Sequence, residues 1–155
     1  NARVKEGSVD KDNGIYIRSG LEVMKEYGVC EESLWPFDLE KWDDKPSNEA
    51  YENAKKRTIS NYKKLTSIYY ITEVLNDNKP IVFGIEIYDS FMELDESINT
   101  VSFPSRKEKS RGGHAMCMKG YDLSKRLFLA KNSFGTDWCM SARRWVCPAR
   151  PRFRR

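Results

Sequence analysis

Apolar residues recur at helical spacing in two segments of the chain. The first covers residues 15–27 and is followed by Gly28, which stands where a helix C-cap is expected. The second begins after Ser67, a good N-cap residue, and stops at the turn-forming run 76–78. A shorter and more polar helix is predicted over 47–57. The pattern therefore places helices in both halves of the chain.

Strict alternation of apolar and polar residues predicts β-strands in the second half. The clearest run is 81–88, and two further strands are predicted over 113–121 and 126–133. A strand is also predicted over 59–65, whereas 89–111 is expected to be mostly loop. The apolar face of the first run carries Ile81, Phe83, Ile85 and Ile87.

The last two predicted strands are joined by the polar turn 122–125, which predicts an antiparallel hairpin. A hairpin centred on Leu123 pairs His114 directly with Asn132, and places their Cβ atoms about 4.5–5.5 Å apart. This inference depends on register, because a shift of one residue moves the two side chains to opposite faces.

Composition is that of a soluble globular protein long enough for one ordinary domain. The chain has 155 residues, of which 39% are apolar and 32% charged. No apolar run approaches the roughly 18 residues that span a membrane, so no membrane partner is expected. Nothing in the sequence indicates a cellular compartment.

The net charge of +4 comes from the end of the chain, since residues 143–155 hold six arginines and no acid. Without them, 21 basic residues face 23 acidic ones, and we expect no nucleic-acid partner. The arginine-rich end is interpreted as an aberrant basic tail over 139–155. A functional basic targeting tail is the alternative.

The four cysteines match no small disulfide framework. A zinc site built from His114, Cys117, Cys139 and Cys147 is conceivable, but the paired Cys-x-x-Cys knuckles typical of such sites are absent from the sequence. We therefore expect no metal and no organic cofactor.

The candidate chemistry lies in two short motifs. The single histidine stands in Gly113-His114-Ala115, and the second motif reads Asn132-Ser133-Phe134-Gly135-Thr136-Asp137-Trp138. Each residue alone is more often structural, but a histidine and an asparagine facing each other across one hairpin favour catalysis. The two motifs resemble the Gly-His-Ala strand and the Asn-Ser-Trp-Gly-x-x-Trp-Gly segment of the papain-like cysteine peptidases. The runs 27–30, 35–37 and 120–122 also resemble that family.

This resemblance implies a role for each motif residue. His114 would stabilise a cysteine thiolate and then protonate the leaving amine, while Asn132 would orient the imidazole ring. Gly113 would leave the histidine accessible. Phe134, where the family usually has tryptophan, would cover the His–Asn bond, and Trp138 would pack on the same wall. Peptides or proteins are the implied substrates.

The nucleophile is where the chain departs from the family. The papain signature Cys-Gly-(Ser/Ala)-Cys-(Trp/Tyr), expected ~130–150 residues before the histidine, is not found in the 155 residues. Cys117 is three residues from His114 on one strand and hence on the opposite face, and Cys30 has no basic neighbour to lower its pKa. We therefore expect the thiol to come from an N-terminal Cys-bearing segment that this chain lacks.

The resemblance implies an α+β fold, in which an antiparallel β-sheet or barrel domain is joined to part of a helical partner domain. The predicted divisions are 1–60 for the helical remnant, 61–138 for the β-rich domain and 139–155 for the tail. The predicted function is cysteine-type peptide-bond hydrolysis, with this chain inactive alone. A non-catalytic peptide-binding pseudo-peptidase and an acyl transferase on the same fold remain alternatives.

Overall fold

The computed structural model describes residues 1–11, 13–94 and 100–134, together with the backbone of 144–146. The chain divides into two compact units, Asn1–Lys64 and Leu65–Arg155. The first is helical and the second is built on a β-sheet, so the α+β class predicted from the sequence is confirmed.

The first unit contains three helices, α1 (Ala2–Glu6), α2 (Ile17–Glu26) and α3 (Asn48–Ala54), and a 3-10 turn at Leu39–Lys41. The predictions for α2 and α3 are confirmed. In α3 the Oγ atom of Ser47 accepts a hydrogen bond from the N–H of Ala50 at 3.2 Å, which caps the helix.

Helix α1 was not predicted, because five residues show no hydrophobic period. Contacts with the following segment hold it instead. Lys5 Nζ lies 3.3 Å from Glu26 Oε2 on α2, and Glu6 Oε1 accepts a hydrogen bond from the N–H of Tyr16 at 2.9 Å. These contacts join residues distant in sequence, which a local pattern does not reveal.

Gly28 ends α2 and permits the chain to pass close to α3. Its φ of 83° is left-handed, and a Cβ built there would lie 2.0 Å from the backbone oxygen of Ala54. The N–H of Val29 donates to the carbonyl of Arg57 at 3.2 Å, directly after α3. Ala50 and Ala54 are buried on α3. The approach therefore requires a residue without a side chain at position 28.

Among its described residues, the second unit contains two helices, α4 (Ile68–Asn76) and α5 (Asp89–Met92), and one five-stranded sheet. Its strand order is β1-β3-β4-β5-β2, with antiparallel pairing except between β2 and β5. The strands are β1 (Ile81–Tyr88), β2 (Thr100–Val101), β3 (Ser110–Asp122), β4 (Leu127–Lys131) and β5 (Arg144–Val146). The predicted helix after Ser67 and the strand 81–88 are confirmed, and Ile81, Phe83, Ile85 and Ile87 are the more buried residues of β1.

The core of this unit lies on one face of β1, β3 and β4. One buried cluster joins Ile87, Phe91, Met116 and Ala130, and a second joins Leu75 of α4 to Met118 and Phe128. The even-numbered residues of β3 from His114 to Met118 therefore face the core, as alternation requires.

The strand predicted over 59–65 is absent. The N–H of Ile59 donates to the carbonyl of Met24 and the Tyr62 hydroxyl to Glu22, both on α2, while the N–H of Tyr62 donates to the side chain of the adjacent Asn61. The segment 89–111, predicted to be mostly loop, contains the short elements α5 and β2 and the first residues of β3. Elements as short as four and two residues carry no readable period.

The predicted register of the hairpin is also wrong. Cys117 pairs with Lys131, whereas a turn centred on Leu123 pairs it with Leu129. The loop is centred later in the chain because Asp122 Oδ1 accepts hydrogen bonds from the Ser124 hydroxyl and the N–H of Lys125, and because Arg126 adopts a left-handed φ of 56°.

An irregularity between Met118 and Gly120 shifts the register of β3 against β4 by one more residue on the side of the turn. Continued by one residue, the observed register places Asn132 opposite Met116 and diagonal to His114. A displacement of two residues keeps both side chains on the same face, so the predicted shared face survives the error.

Part of the predicted tail lies within the sheet. Residues 144–146 form β5, which pairs with β4 and β2, and the remainder of 139–155 is outside the described residues. No helix among the described residues combines the length and the apolar character that crossing a membrane requires.

We expect Gly28→Ala to lower the free energy of unfolding clearly more than Gly7→Ala. Both glycines have a left-handed backbone, in which a Cβ costs about 1 to 2 kcal/mol. At Gly28 the new Cβ also meets the Ala54 carbonyl, whereas at Gly7 it meets nothing within 4 Å. Urea unfolding followed by circular dichroism measures both variants, and equal losses would contradict the close approach of the chain to α3.

Candidate active site

His114 lies on β3, the strand between β1 and β4 in the sheet. It is the partner of Ile85 on β1, and its side chain is on the face that carries the buried Met116 and Met118. The imidazole is half-buried. The strand therefore brings the single histidine of the chain to the rim of the apolar core.

Asn132 is the first residue after β4, on the other side of β3. Its Oδ1 lies 2.6 Å from Nε2 of His114. The same oxygen accepts a hydrogen bond from the N–H of Ser133 at 2.8 Å, which defines the orientation of the amide. The structure thus brings together the two residues that the sequence predicted as the catalytic pair.

The hydrogen bond determines which ring nitrogen of His114 carries the proton. An amide oxygen only accepts hydrogen bonds, so the Nε2 atom must donate. In the neutral ring Nδ1 is then the nitrogen with a free lone pair. The arrangement leaves Nδ1 to accept a proton from a nucleophile, or to return it to a leaving group.

Two phenyl rings flank the imidazole. The centroid of Phe134 lies 4.7 Å from that of His114, and the centroid of Phe91 lies 5.7 Å from it. Phe134 remains 41% exposed and Phe91 is only 3% exposed. Phe134 therefore lies over the imidazole from the solvent side, while Phe91 supports it from the core.

Phe91 is the residue that the sequence analysis missed. It stands on the four-residue helix α5, inside a segment expected to be loop. The apolar pair Phe91-Met92 between polar residues was the available signal, but no period indicated which way the Phe91 side chain points. Its burial is decided by β1, β3 and β4, whose residues Ile87, Met116 and Ala130 pack against it.

Gly113 and Trp138 are the other two residues predicted to support the site. A Cβ added at Gly113 would meet nothing within 4 Å, so the space beside this residue is open. It is the neighbouring Gly112, with a φ of 104°, whose backbone conformation favours glycine. Trp138 lies outside the described residues, and the supporting roles of Gly113 and Trp138 stay predictions.

Neither described cysteine stands beside the histidine on its strand face. Cys117 is half-buried on the opposite face of β3, paired with the exposed Val82 of β1. Cys30 belongs to the first unit. Within the described ranges no three His, Cys, Asp or Glu side chains gather as metal ligands would, and Cys139 and Cys147 of the zinc alternative fall outside those ranges.

Comparison with known proteins gives consistent matches. The family model described as papain family cysteine protease matches residues 7–145. An uncharacterized peptidase C1-like protein of Acanthamoeba polyphaga mimivirus is 36% identical over 148 residues, which cover 89% of this chain and 48% of the relative. This chain thus spans about half the length of that curated relative.

Solved structures agree with this match. Xylellain, a cysteine protease from Xylella fastidiosa, superposes with a TM-score of 0.85 at 29% identity, over 95% of this chain and 60% of its own. The proCathepsin B of Trypanosoma congolense shares the fold, with a TM-score of 0.63 at 15% identity over 88% of this chain and 49% of its own. From the extent of the family match, the chain belongs to the papain family of cysteine proteases.

Proposed function

We propose that this chain carries the histidine and asparagine of a cysteine peptidase active site, and that it contributes to peptide-bond hydrolysis once a cysteine thiol stands beside His114. Membership of the papain family supports a peptidase. The observation that carries the proposal is the 2.6 Å contact between His114 Nε2 and Asn132 Oδ1. That contact supplies the oriented base of a nucleophile–base–orienter triad.

In the proposed reaction His114 moves protons at Nδ1. It takes the proton of the thiol, which leaves a thiolate paired with an imidazolium ion. The thiolate attacks the carbonyl carbon of the substrate, and Nδ1–H donates its proton to the amine nitrogen as the C–N bond breaks. Nδ1 then accepts a proton from water, which attacks the thioester, releases the acid and regenerates the thiol.

Asn132 orients the ring throughout this cycle. Its Oδ1 holds the Nε2 proton in both the neutral and the charged ring, so rotation about the Cβ–Cγ bond is restrained while Nδ1 changes partner. The phenyl ring of Phe134 covers the same side of the imidazole. Excluding water there strengthens the bond between Nε2 and Oδ1, because the local dielectric is lower.

The nucleophile is proposed to come from outside these 155 residues. None of the four cysteines stands in the family's Cys-Gly-(Ser/Ala)-Cys-(Trp/Tyr) context. Cys117, the cysteine nearest to His114 in sequence, points to the opposite face of β3. A Cys-bearing segment would supply the thiol, and peptides or proteins would be the substrates.

This polypeptide alone should not cleave peptides, because none of its cysteines stands in the family's nucleophile motif and neither described cysteine lies beside His114 on its strand face. The purified chain is assayed against a panel of fluorogenic peptides under reducing conditions, with a complete papain-family enzyme as positive control. Turnover that a thiol alkylator abolishes would show that one of the four cysteines acts as nucleophile, and would refute this part of the proposal.

Adding a Cys-bearing segment from a papain-family relative should restore activity that depends unequally on the two site residues. His114→Ala removes the counter-ion and the proton donor together, so activity should fall to background. Asn132→Ala removes only the orienting bond, and should keep measurable activity within the ~10²–10⁴-fold range of general acid–base catalysis.

Asn76→Ala is the matched control, since the Asn76 side chain accepts a hydrogen bond from the Tyr121 hydroxyl at 2.9 Å in the same unit. It should leave activity unchanged. The series is measured with residues 139–155 as they stand and with the relative's ending in their place. If His114→Ala retains as much activity as Asn132→Ala in both versions, the assigned roles are wrong.

A further inference from the structure

Helix α5 is tied to the segment that leads into β3 by a carboxylate at its first position. Asp89 Oδ1 accepts a hydrogen bond from Nε of Arg111 at 2.5 Å, and Oδ2 accepts one from the N–H of Lys109 at 3.4 Å. One side chain thus bridges the start of α5 and two positions that lie three and five residues before His114.

A second carboxylate makes the reverse connection. Glu108 Oε2 accepts a hydrogen bond from the N–H of Ser90 at 3.1 Å, and Oε1 accepts one from the N–H of Ser105 at 2.7 Å. The N–H of Ser90 is one of the donors at the start of α5 that no intrahelical bond satisfies. We call Asp89, Glu108 and these four partners the carboxylate clasp.

Both carboxylates carry their charge in this arrangement. The hydrogen bond from Arg111 lowers the pKa of Asp89, and the hydrogen bonds from Ser90 and Ser105 lower the pKa of Glu108. Each is therefore ionised at neutral pH, and its hydrogen bonds are of the stronger, charge-assisted kind.

The clasp contributes more to local position than to overall stability. The side chains of Asp89 and Arg111 are 31% and 60% exposed, and exposed ion pairs contribute little to the free energy of folding. Yet α5 has only four residues, too few to be stable without tertiary contacts. It follows β1 without a linker, and the clasp at one end and the buried side chain of Phe91 at the other add to that link in placing it.

Phe91 transmits that placement to the histidine. Its ring is 3% exposed and lies 5.7 Å from the imidazole of His114 and 6.4 Å from the ring of Phe134. A shift of α5 along β3 would withdraw the phenyl that supports the imidazole from the core side. Among the described residues, the hydrogen bond to Asn132 and the ring of Phe134 would then remain to hold the imidazole.

We propose that the carboxylate clasp is a positioning device for His114, with Asp89 and Glu108 as positioning residues that act through Phe91. The inference rests on the proposed function only in treating His114 as the acid–base group. By holding Phe91 against the imidazole, the clasp fixes the plane of the ring and keeps its proton on Nε2.

The chain offers a direct reporter, because His114 is its single histidine. The chemical shifts of its ring protons depend on the ring currents of the neighbouring phenyl groups. The ¹⁵N chemical shifts of its two ring nitrogens report which tautomer is present. The whole 155-residue chain, labelled with ¹⁵N, is compared with Asp89→Asn, Glu108→Gln and their double variant at one common alkaline pH. Phe91→Leu and Asn132→Ala provide the two reference states.

In the double variant we expect the ring-proton shifts to move toward those of Phe91→Leu, and the share of the Nε2-protonated tautomer to fall toward that of Asn132→Ala. Asp89→Glu keeps a carboxylate at the position where Asp89→Asn removes it. Its ring-proton shifts and tautomer share should therefore lie close to those of the unchanged chain. Asp77→Asn is the matched control. Asp77 Oδ2 accepts a hydrogen bond from Lys79 Nζ at 3.1 Å in the same unit, outside β3, β4 and their turn, so its loss should leave both signals unchanged.

Dispersed amide signals from β3 and β4 verify that each variant is folded. If the double variant does not fold, the single variants and Arg111→Gln, which removes only an exposed partner, give the answer. Folded clasp variants with unchanged ring-proton shifts and tautomer would overturn the proposal and leave the clasp as a loop anchor. Equal changes in Asp77→Asn would overturn it too, since they would reflect general loosening of the unit.

Activity provides a separate readout in the protein completed with a Cys-bearing segment. There Asp89→Asn should lower kcat by up to about 10²-fold with little change in KM, as expected for a misplaced catalytic group. A higher KM with an unchanged kcat would contradict the positioning role. A completed protein with no activity at all would count against the proposed function, while the resonance experiment would still decide the clasp.

Discussion

The pairing of β3 with β1 on one side and β4 on the other is the constraint on which the site depends. Alternation along β3 sends His114, Met116 and Met118 to one face, where Ile87, Phe91 and Phe128 close the core. The partner strand β4 ends one residue before Asn132. The same hydrogen-bonded ladder therefore builds the core and brings the imidazole and the amide into contact.

The environment of His114 is asymmetric, and that asymmetry suits proton transfer. Nε2 faces an acceptor that cannot donate, so its proton is retained, and the phenyl rings of Phe134 and Phe91 lie against the ring. Nδ1 is left for a reacting group. The charged residues of the carboxylate clasp hold α5 on its solvent side. Because they lie outside the apolar core, their desolvation cost is small.

The chain carries one part of the proposed catalytic site. This chain covers 48% of its mimiviral relative and 60% of xylellain, and it contains the histidine and asparagine motifs without the family's cysteine signature. A thiolate–imidazolium pair needs both groups within a few ångströms, so neither half of such a site is chemically competent alone. The proposed peptidase activity is for this reason a property of the completed site.

The sequence alone indicated the elements with a readable period, the family and the two residues, His114 and Asn132, that the structure brings into contact. The helices α2, α3 and α4 and the strand β1 follow from spacing and capping, which are local properties of the chain. The motifs around His114 and Asn132 indicated the papain-like fold because their residue types and order are specific.

Tertiary structure decided the remainder. The hairpin register depends on the left-handed Arg126, on the hydrogen bonds of Asp122 and on the irregularity after Met118. The pattern of apolar residues does not fix this register, because displacing one strand by two residues keeps every side chain on the same face. The short helices α1 and α5 exist through contacts with distant residues, and the segment 59–65 found no strand to pair with. Phe91 became part of the site only because β1, β3 and β4 fold around it, since a side chain without a period acquires its direction from its neighbours in space.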